Sequence, residues 1–413
     1  VEDKVGKIAG LTYALDAARV FGCSAVDAGH QPPVISAILK AYTTELAREL
    51  GREGMDVFAG SGVMQGPNNI LGKGYAGAPV AITVEGANIM TRTLMIFGQG
   101  ATRCHPYALK VVHAAEQDNA EQFRSNLLAW FGFFFGTIGR TLVRTLTRGF
   151  AAGSPVGGPT ATYYRRLGWA ASRYAMLTNL AMFFIGGKLK ARGKLTGRYA
   201  DALAWQFLAI ATLRRFEAEG RRAEDLPLVQ YACEYALREI QLAFEGIYAN
   251  FDAPLVGLWM HTVGGWLLRL NPLTGAMKDS VSHRAALCID HYDEQYQRLI
   301  DGVFKAPETY PGTGRLMKAF RLVTEAHAAA ERIILAQRAK KLPRGPLPAE
   351  IADEAVKAGI VTAAEARLLK DALAARLEAI EVDVFTPEQF YAEVNSKGGL
   401  TLGDVPTKMA VNA

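Results

Sequence analysis

One carboxylate stands in a setting suited to proton abstraction: Glu85, within Val84-Glu85-Gly86-Ala87-Asn88-Ile89. Val84, Gly86, Ala87 and Ile89 are apolar or small, which leaves room for a flat ligand beside the acid. A carboxylate that water reaches poorly is more basic than in water and can take a proton from a weakly acidic carbon. The same position also suits an ordinary acid in the first turn of a helix, favoured there by the helix dipole. Residue type and spacing leave both readings open.

Other chemistries have less support. Gly72-Lys-Gly74-Tyr-Ala-Gly77 has GxGxxG spacing, but that fingerprint needs a strand before it and a helix opening within it. Asn68-Asn69-Ile70-Leu71 does not read as a buried strand, and Ala78-Pro79 argues against a helix. No P-loop, HExxH or GxSxG motif occurs, and the seven histidines are dispersed. Cys23, Cys104, Cys233 and Cys288 form no CxxC pair and lie far from any histidine at ligand spacing, so they read as reduced and mostly buried, and no metal is expected.

Half of the 413 residues are hydrophobic and 21% are charged, enough to bury one or two large cores. The net charge of +6 is unevenly spread: from Gln122 to Ala200 there is no Asp or Glu, while twelve Arg and Lys residues lie between Arg124 and Arg198. That segment holds two apolar runs, 127–138 and 174–187, each shorter than the roughly 20 residues that cross a bilayer. Two readings stay open, peripheral contact with an anionic membrane or a pair of buried core helices capped by arginines. No nucleic acid partner is expected. No signal peptide pattern is visible, which points to the cytoplasm with peripheral contact at the inner membrane as a further option. The opening VEDKVGKIAGL, helical at once and without Met, reads as a segment of a longer chain.

Apolar residues recur at helical spacing nearly everywhere, so the fold class is all-α. A helical hairpin is expected, with its turn at Asp27-Ala-Gly29 and its second helix opening after Gln31-Pro-Pro33. The glycine-rich stretch from Ala59 to Pro79 should interrupt the helices, which resume at about Glu85. Residues 395–413 have few large apolar side chains and should fray.

The order of hairpin, glycine-rich turn and Glu-Gly pair resembles the C-terminal helical domain of the acyl-CoA dehydrogenase family. Ala37-Ile-Leu-Lys40-Ala41, Met55-Asp-Val-Phe-Ala-Gly60-Ser-Gly62 and Val84-Glu85-Gly86-Ala87 are similar to its motifs. Pro67-Asn-Asn69 and Phe97-Gly-Gln-Gly-Ala-Thr-Arg-Cys-His-Pro106 resemble the branch of large bacterial fatty acyl-CoA dehydrogenases, which carries an extra C-terminal helical domain. The implied division is 1–110 for the first domain, 111–397 for the branch-specific one and 398–413 for a flexible tail.

The resemblance implies FAD-dependent conversion of a medium- or long-chain fatty acyl-CoA to the trans-2-enoyl-CoA, a step of fatty acid β-oxidation. Glu85 would take the α-proton while the β-hydrogen leaves as hydride to the flavin, and the Glu85 amide would polarise the thioester carbonyl. Val84 and Gly86 would line the substrate. Phe58, Gly60, Gly62, Asp56 and Ala87 would lie at the FAD, the first three in a turn usually lent to a neighbouring subunit. A homo-oligomer and an electron-transferring flavoprotein as oxidant are implied, with an oxygen-using oxidase as the rival. The sequence departs from the family pattern at Asp56, Ala87 and Val84, where Gln, Thr and Tyr are usual. An N-terminal helical domain and a middle β-domain would precede Val1, and the chain alone is expected to turn over nothing. The competing non-enzymatic reading is a helical module that docks on a membrane or partner.

Overall fold

The computed structural model describes residues 1–64, 66–389 and 391, and among them every regular element is a helix. The expected tail at 398–413 lies outside the described residues. The hairpin forms as predicted from α1 (Glu2–Asp27) and α2 (Pro33–Phe58). Gly29, at φ +81, reverses the chain after α1 at no steric cost. Pro33 opens α2, where its missing N–H would have no helical acceptor anyway.

The chain divides into two compact units, residues 1–57 with 74–302, and 58–73 with the chain from 303 onward. One departure from expectation crosses that division: Leu71–Thr83 is a helix, α3, with Pro79 inside it. Asn69 Oδ1 accepts from the N–H groups of Leu71 and Gly72 at 2.8 and 3.1 Å, a side-chain cap that starts the helix in spite of its glycines. Pro79 removes the donor for the Tyr75 carbonyl, but Tyr75 is exposed, so solvent can take its place.

In the first unit α4 (Asn88–Cys104) follows, wound as a π-helix from Thr91 to Gln99, then α5 (Ala108–Glu116), α6 (Ala120–Leu146) and α7 (Ala161–Phe184). Next come α8 (Gly193–Ala218), α9 (Leu226–Tyr248), a helical stretch over 256–270 here termed α10, and α11 (Asp279–Leu287). Helices α8 and α9 bury side chains on almost every face, among them Tyr199, Leu208, Leu213, Ile240 and Phe244. Helices buried on so many faces must be enclosed by others, and α1, α4, α7 and α11 supply that enclosure. The approach of α1 is close. A Cβ on Gly6 would stand 2.4 Å from the Ser282 carbonyl oxygen, and one on Gly10 2.4 Å from the Tyr231 ring.

The two apolar runs of the acid-free segment behave differently. The run 174–187 lies largely within α7, whose Leu167, Trp169, Leu177 and Ala181 are buried. The run 127–138 is part of α6, whose 27 residues make a helix about 40 Å long. By length and composition α6 could cross a membrane, in contrast to the run alone, and only Thr137 and Thr141 on it are buried. Two of the four free cysteines, Cys23 and Cys104, are also exposed rather than buried, because each faces away from the packed side of its helix.

The second unit has its own small core. Ala329, Ile333, Ile351, Ala355 and Leu369 meet where α12 (Thr313–Arg338), α13 (Ala352–Lys357) and α14 (Ala363–Ile380) pack. A capping box between Thr362 and Glu365 starts α14, and Arg332 adds an ion pair to Glu365 at 2.5 Å.

The hairpin is tied near its open end by Glu53. Buried on α2, it accepts from Lys4 at 2.5 Å, Lys7 at 2.9 Å and Arg52 at 3.0 Å, and these bonds, that of Lys4 first, hold its carboxyl down at about 2. A carboxyl more acidic when folded stabilises fully above its ordinary value near 4.5 and loses that contribution as pH falls toward 2, about 3 kcal/mol in all. Denaturant titrations should show stability falling through this window, and Glu53→Gln should flatten the fall. An unchanged slope in the variant would assign the acid sensitivity elsewhere.

Candidate active site

Glu85 lies in the turn between α3 and α4, not in the first turn of a helix. The helix begins only at Asn88, with Ala87 as its N-cap, because Glu85 and Gly86 both take left-handed backbone angles, φ 54 and 90. Gly86 adopts such an angle freely. Glu85 does not, and a non-glycine residue there costs about 1 to 3 kcal/mol that surrounding contacts must offset.

Lys40 on α2 supplies much of that offset. Its Nζ donates to the Gly86 carbonyl at 2.6 Å, to Asn88 Oδ1 at 2.7 Å and to the Ile82 carbonyl at 3.3 Å. One ammonium thus holds the last turn of α3, the reversal itself and the first residue of α4. Asn88 is 4% exposed, and its Nδ2 donates to Thr44 Oγ1 at 2.9 Å and to the Ala41 carbonyl at 3.2 Å. The turn is therefore pinned to α2 from both sides.

One helical turn further, α4 is fixed to α8. Arg92 Nε donates to Asp201 Oδ1 at 2.5 Å and its Nη2 to the other carboxylate oxygen, while Tyr42 OH donates to Oδ1 at 2.7 Å. Burial and the Asp201 charge push the Tyr42 hydroxyl far up, so it stays a neutral donor. The hydrogen bond to Asp201 raises the Arg92 guanidinium further. Beside this group is a cavity of about 360 Å³ lined by Tyr42, Glu45, Asn88, Ile89, Arg92 and Trp205.

The exposed Glu85 side chain takes no part in this network. Among the described residues neither its carboxylate nor its N–H has a hydrogen-bond partner. Val84, Glu85, Gly86 and Ala87 are all exposed, so the first unit does not itself supply the poor solvation expected of a base. It supplies a fixed, unengaged acid and amide.

The expected cofactor residues fit a flavin dinucleotide unevenly. In the first unit, the Asp56 carboxylate is taken by Lys4 at 2.6 Å, and its charge would repel a phosphate, so it does not fit. In the second unit, Phe58 is exposed and ends α2, Ala59 takes φ 52, and nothing lies within 4 Å of where a Cβ on Gly60 would be. A backbone this open suits close approach by a diphosphate. The Gly62 N–H is already bonded to the Ala59 carbonyl at 3.0 Å, which leaves Gly62 the role of a small spacer. Ala87 can offer only its backbone.

Lys40 and Asn88 appear in the sequence only as letters of longer patterns, and Arg92 and Asp201 not at all. Lys40 is 46 residues from Gly86, and Arg92 is 109 from Asp201, separations at which no local spacing rule operates. Replacing Lys40 by Met should remove three bonds at once, destabilise the chain by about 2 to 4 kcal/mol and speed amide exchange at 84–88, as read by hydrogen–deuterium mass spectrometry. Unchanged exchange there would show that the turn holds its shape without Lys40. Conversely, Glu85→Gly should relieve backbone strain and raise thermal stability slightly, by about 0.5 to 1 kcal/mol. A drop in the melting temperature would mean that the Glu85 side chain stabilises the turn.

The family model described as acyl-CoA dehydrogenase, C-terminal domain, matches residues 1–97, and the one described as acyl-CoA dehydrogenase, C-terminal, bacterial type, matches 102–385. A solved acyl-CoA dehydrogenase from Bacillus anthracis, complexed with FAD, is similar at 15% identity and a TM-score of 0.52, over 70% of this chain and 48% of that one. At that identity the likeness is one of fold, and the chain spans about half the length of the protein it matches. With the bacterial-type model covering well over half of its residues, the chain belongs to the acyl-CoA dehydrogenase family.

Proposed function

We propose that this chain carries the base of an FAD-dependent enzyme that converts a medium- or long-chain fatty acyl-CoA to its trans-2-enoyl-CoA in fatty acid β-oxidation. The observation that supports it most is the Glu85 turn, where an acid and an amide without partners among the described residues are held in a strained reversal by Lys40 and Asn88. Held so, Glu85 can receive the proton from the α-carbon of the thioester without first breaking an ion pair. Its N–H can donate to the thioester carbonyl, where negative charge grows as that proton leaves. Val84 and Gly86 present an apolar and a small surface to the acyl chain on either side.

Bound FAD would accept the β-hydrogen with its electron pair, so that a carbon–carbon double bond forms as Glu85 gains the proton. Phe58, Gly60 and Gly62 would hold the cofactor through backbone approach, with Ala87 contributing main chain only. The rest of the reading is an electron-transferring flavoprotein as oxidant, a homo-oligomer in the cytoplasm, and a division by ancestry into 1–110, 111–397 and the tail 398–413. The two family matches, which meet near residue 100, support that division. An oxidase is the enzymatic rival, and rapid reaction of the reduced flavin with oxygen would favour it.

In the complete flavoprotein, Glu85→Gln should leave acyl-CoA affinity within a few-fold of wild type while slowing substrate bleaching of the flavin by about 10² to 10⁴. Bleaching at the wild-type rate would remove Glu85 from the role.

A further inference from the structure

The most exposed apolar surface of the first unit lies far from Glu85 in the sequence. On α6, Leu128, Phe131, Phe135, Ile138, Leu142 and Leu146 recur every three or four residues and are all exposed, Leu142 at 59%. They make one stripe about 27 Å long. The opposite side of α6 is occupied: Thr137 and Thr141 are buried, and Arg144 donates to the Gly168 carbonyl at 2.7 Å and to Ser172 on α7. With that side held by the fold, α6 is placed to lie along a surface rather than to cross one.

A second stripe runs along α10, where Trp259, Val263, Trp266 and Leu270 are exposed at the same spacing, Trp266 at 62%. The two helices come together at their ends, where Asn271 Nδ2 donates to the Thr145 carbonyl at 2.7 Å. Phe150, just past α6, is exposed too, and Arg165 lies 4.7 Å from its ring. Along the stripe, from Arg124 to Arg148, the charge has a single sign, the one acid of α6, Glu121, lying about two turns before Leu128. Arg124, Arg140 and Arg148 are exposed along and beyond α6, Lys188 and Lys190 are exposed after α7, and no acid occurs between Gln122 and Ala200.

We propose that this face docks on an anionic lipid bilayer, with the α6 and α10 stripes in the acyl–headgroup boundary and the basic residues on lipid phosphates. The charge decides the occupant. A second copy of the chain would bring the same cations against these, since a two-fold contact pairs a patch with itself, whereas a bilayer rich in phosphatidylglycerol offers apolar depth and negative charge together. Trp259 and Trp266, both part exposed, have the amphipathic rings that settle at that depth. The proposal is independent of Glu85 and requires neither flavin nor substrate.

The test is co-sedimentation of the chain with vesicles of phosphatidylcholine, with and without phosphatidylglycerol, beside light scattering in solution. Binding should require phosphatidylglycerol, weaken with salt, and fall about fivefold for each of Arg140→Gln and Arg148→Gln. Leu142→Ser combined with Trp266→Ser should abolish it while the helical circular dichroism and melting temperature stay as in wild type, because both side chains are exposed. Failure to bind at low salt overturns the proposal, as does binding that the paired serine variant leaves intact. A dimer in solution that the same pair dissociates also overturns it and assigns the face to a second copy.

Discussion

The first unit is organised by the need to enclose α8. It is buried on nearly all sides, and the other helices take their positions by covering one of its faces. The candidate site depends on this directly. Phe97 of α4 stacks on Tyr199 of α8 at 4.2 Å between ring centres, and Arg92 reaches Asp201 one half-turn on. A stacked, fully buried aromatic pair adds orientation to burial. The π-helical winding of α4 between Thr91 and Gln99 spans both contacts. The turn that carries Glu85 is thus anchored at its far side by α8 and at its near side by Lys40.

The energies in that turn have opposite signs and similar sizes. A left-handed glutamate costs about 1 to 3 kcal/mol, and a hydrogen bond from a charged donor contributes about 1.5 to 3, less where water reaches it. Lys40 makes one such bond to Gly86 and another to Asn88, so the strained geometry can persist without any help from the Glu85 carboxylate. A base must keep its lone pairs for the substrate. Placing the clamp on neighbouring carbonyls satisfies that requirement and still fixes the acid in space.

Much of the architecture was legible because it follows from local rules. Helical periodicity, Gly29 and Pro33 define the hairpin, and the Glu-Gly pair marks a backbone reversal. What was not legible has two physical origins. Along the sequence α3 resembles a loop because its glycines and Pro79 count against a helix, whereas the outcome is decided by one cap, Asn69, and by an exposed Tyr75 that leaves water to replace the missing donor. The Lys40 clamp and the Arg92–Asp201 pair join residues far apart in the chain, and no pattern along a sequence encodes such a meeting. The outer face of α6 was hidden in another way: its apolar run is short, but Leu142 and Leu146 continue it at helical spacing among polar residues that point elsewhere.

The core of the first unit draws on both family segments. Leu11, Ile38 and Phe97 from residues 1–97 lie in one cluster with Trp169, Leu208 and Phe244 from beyond 102. The boundary between the two sequence families is therefore not a seam in the molecule. A chain severed between 97 and 102 would leave each piece with an apolar face shaped for the other, so the two segments can change by point substitution but not be shuffled as independent modules.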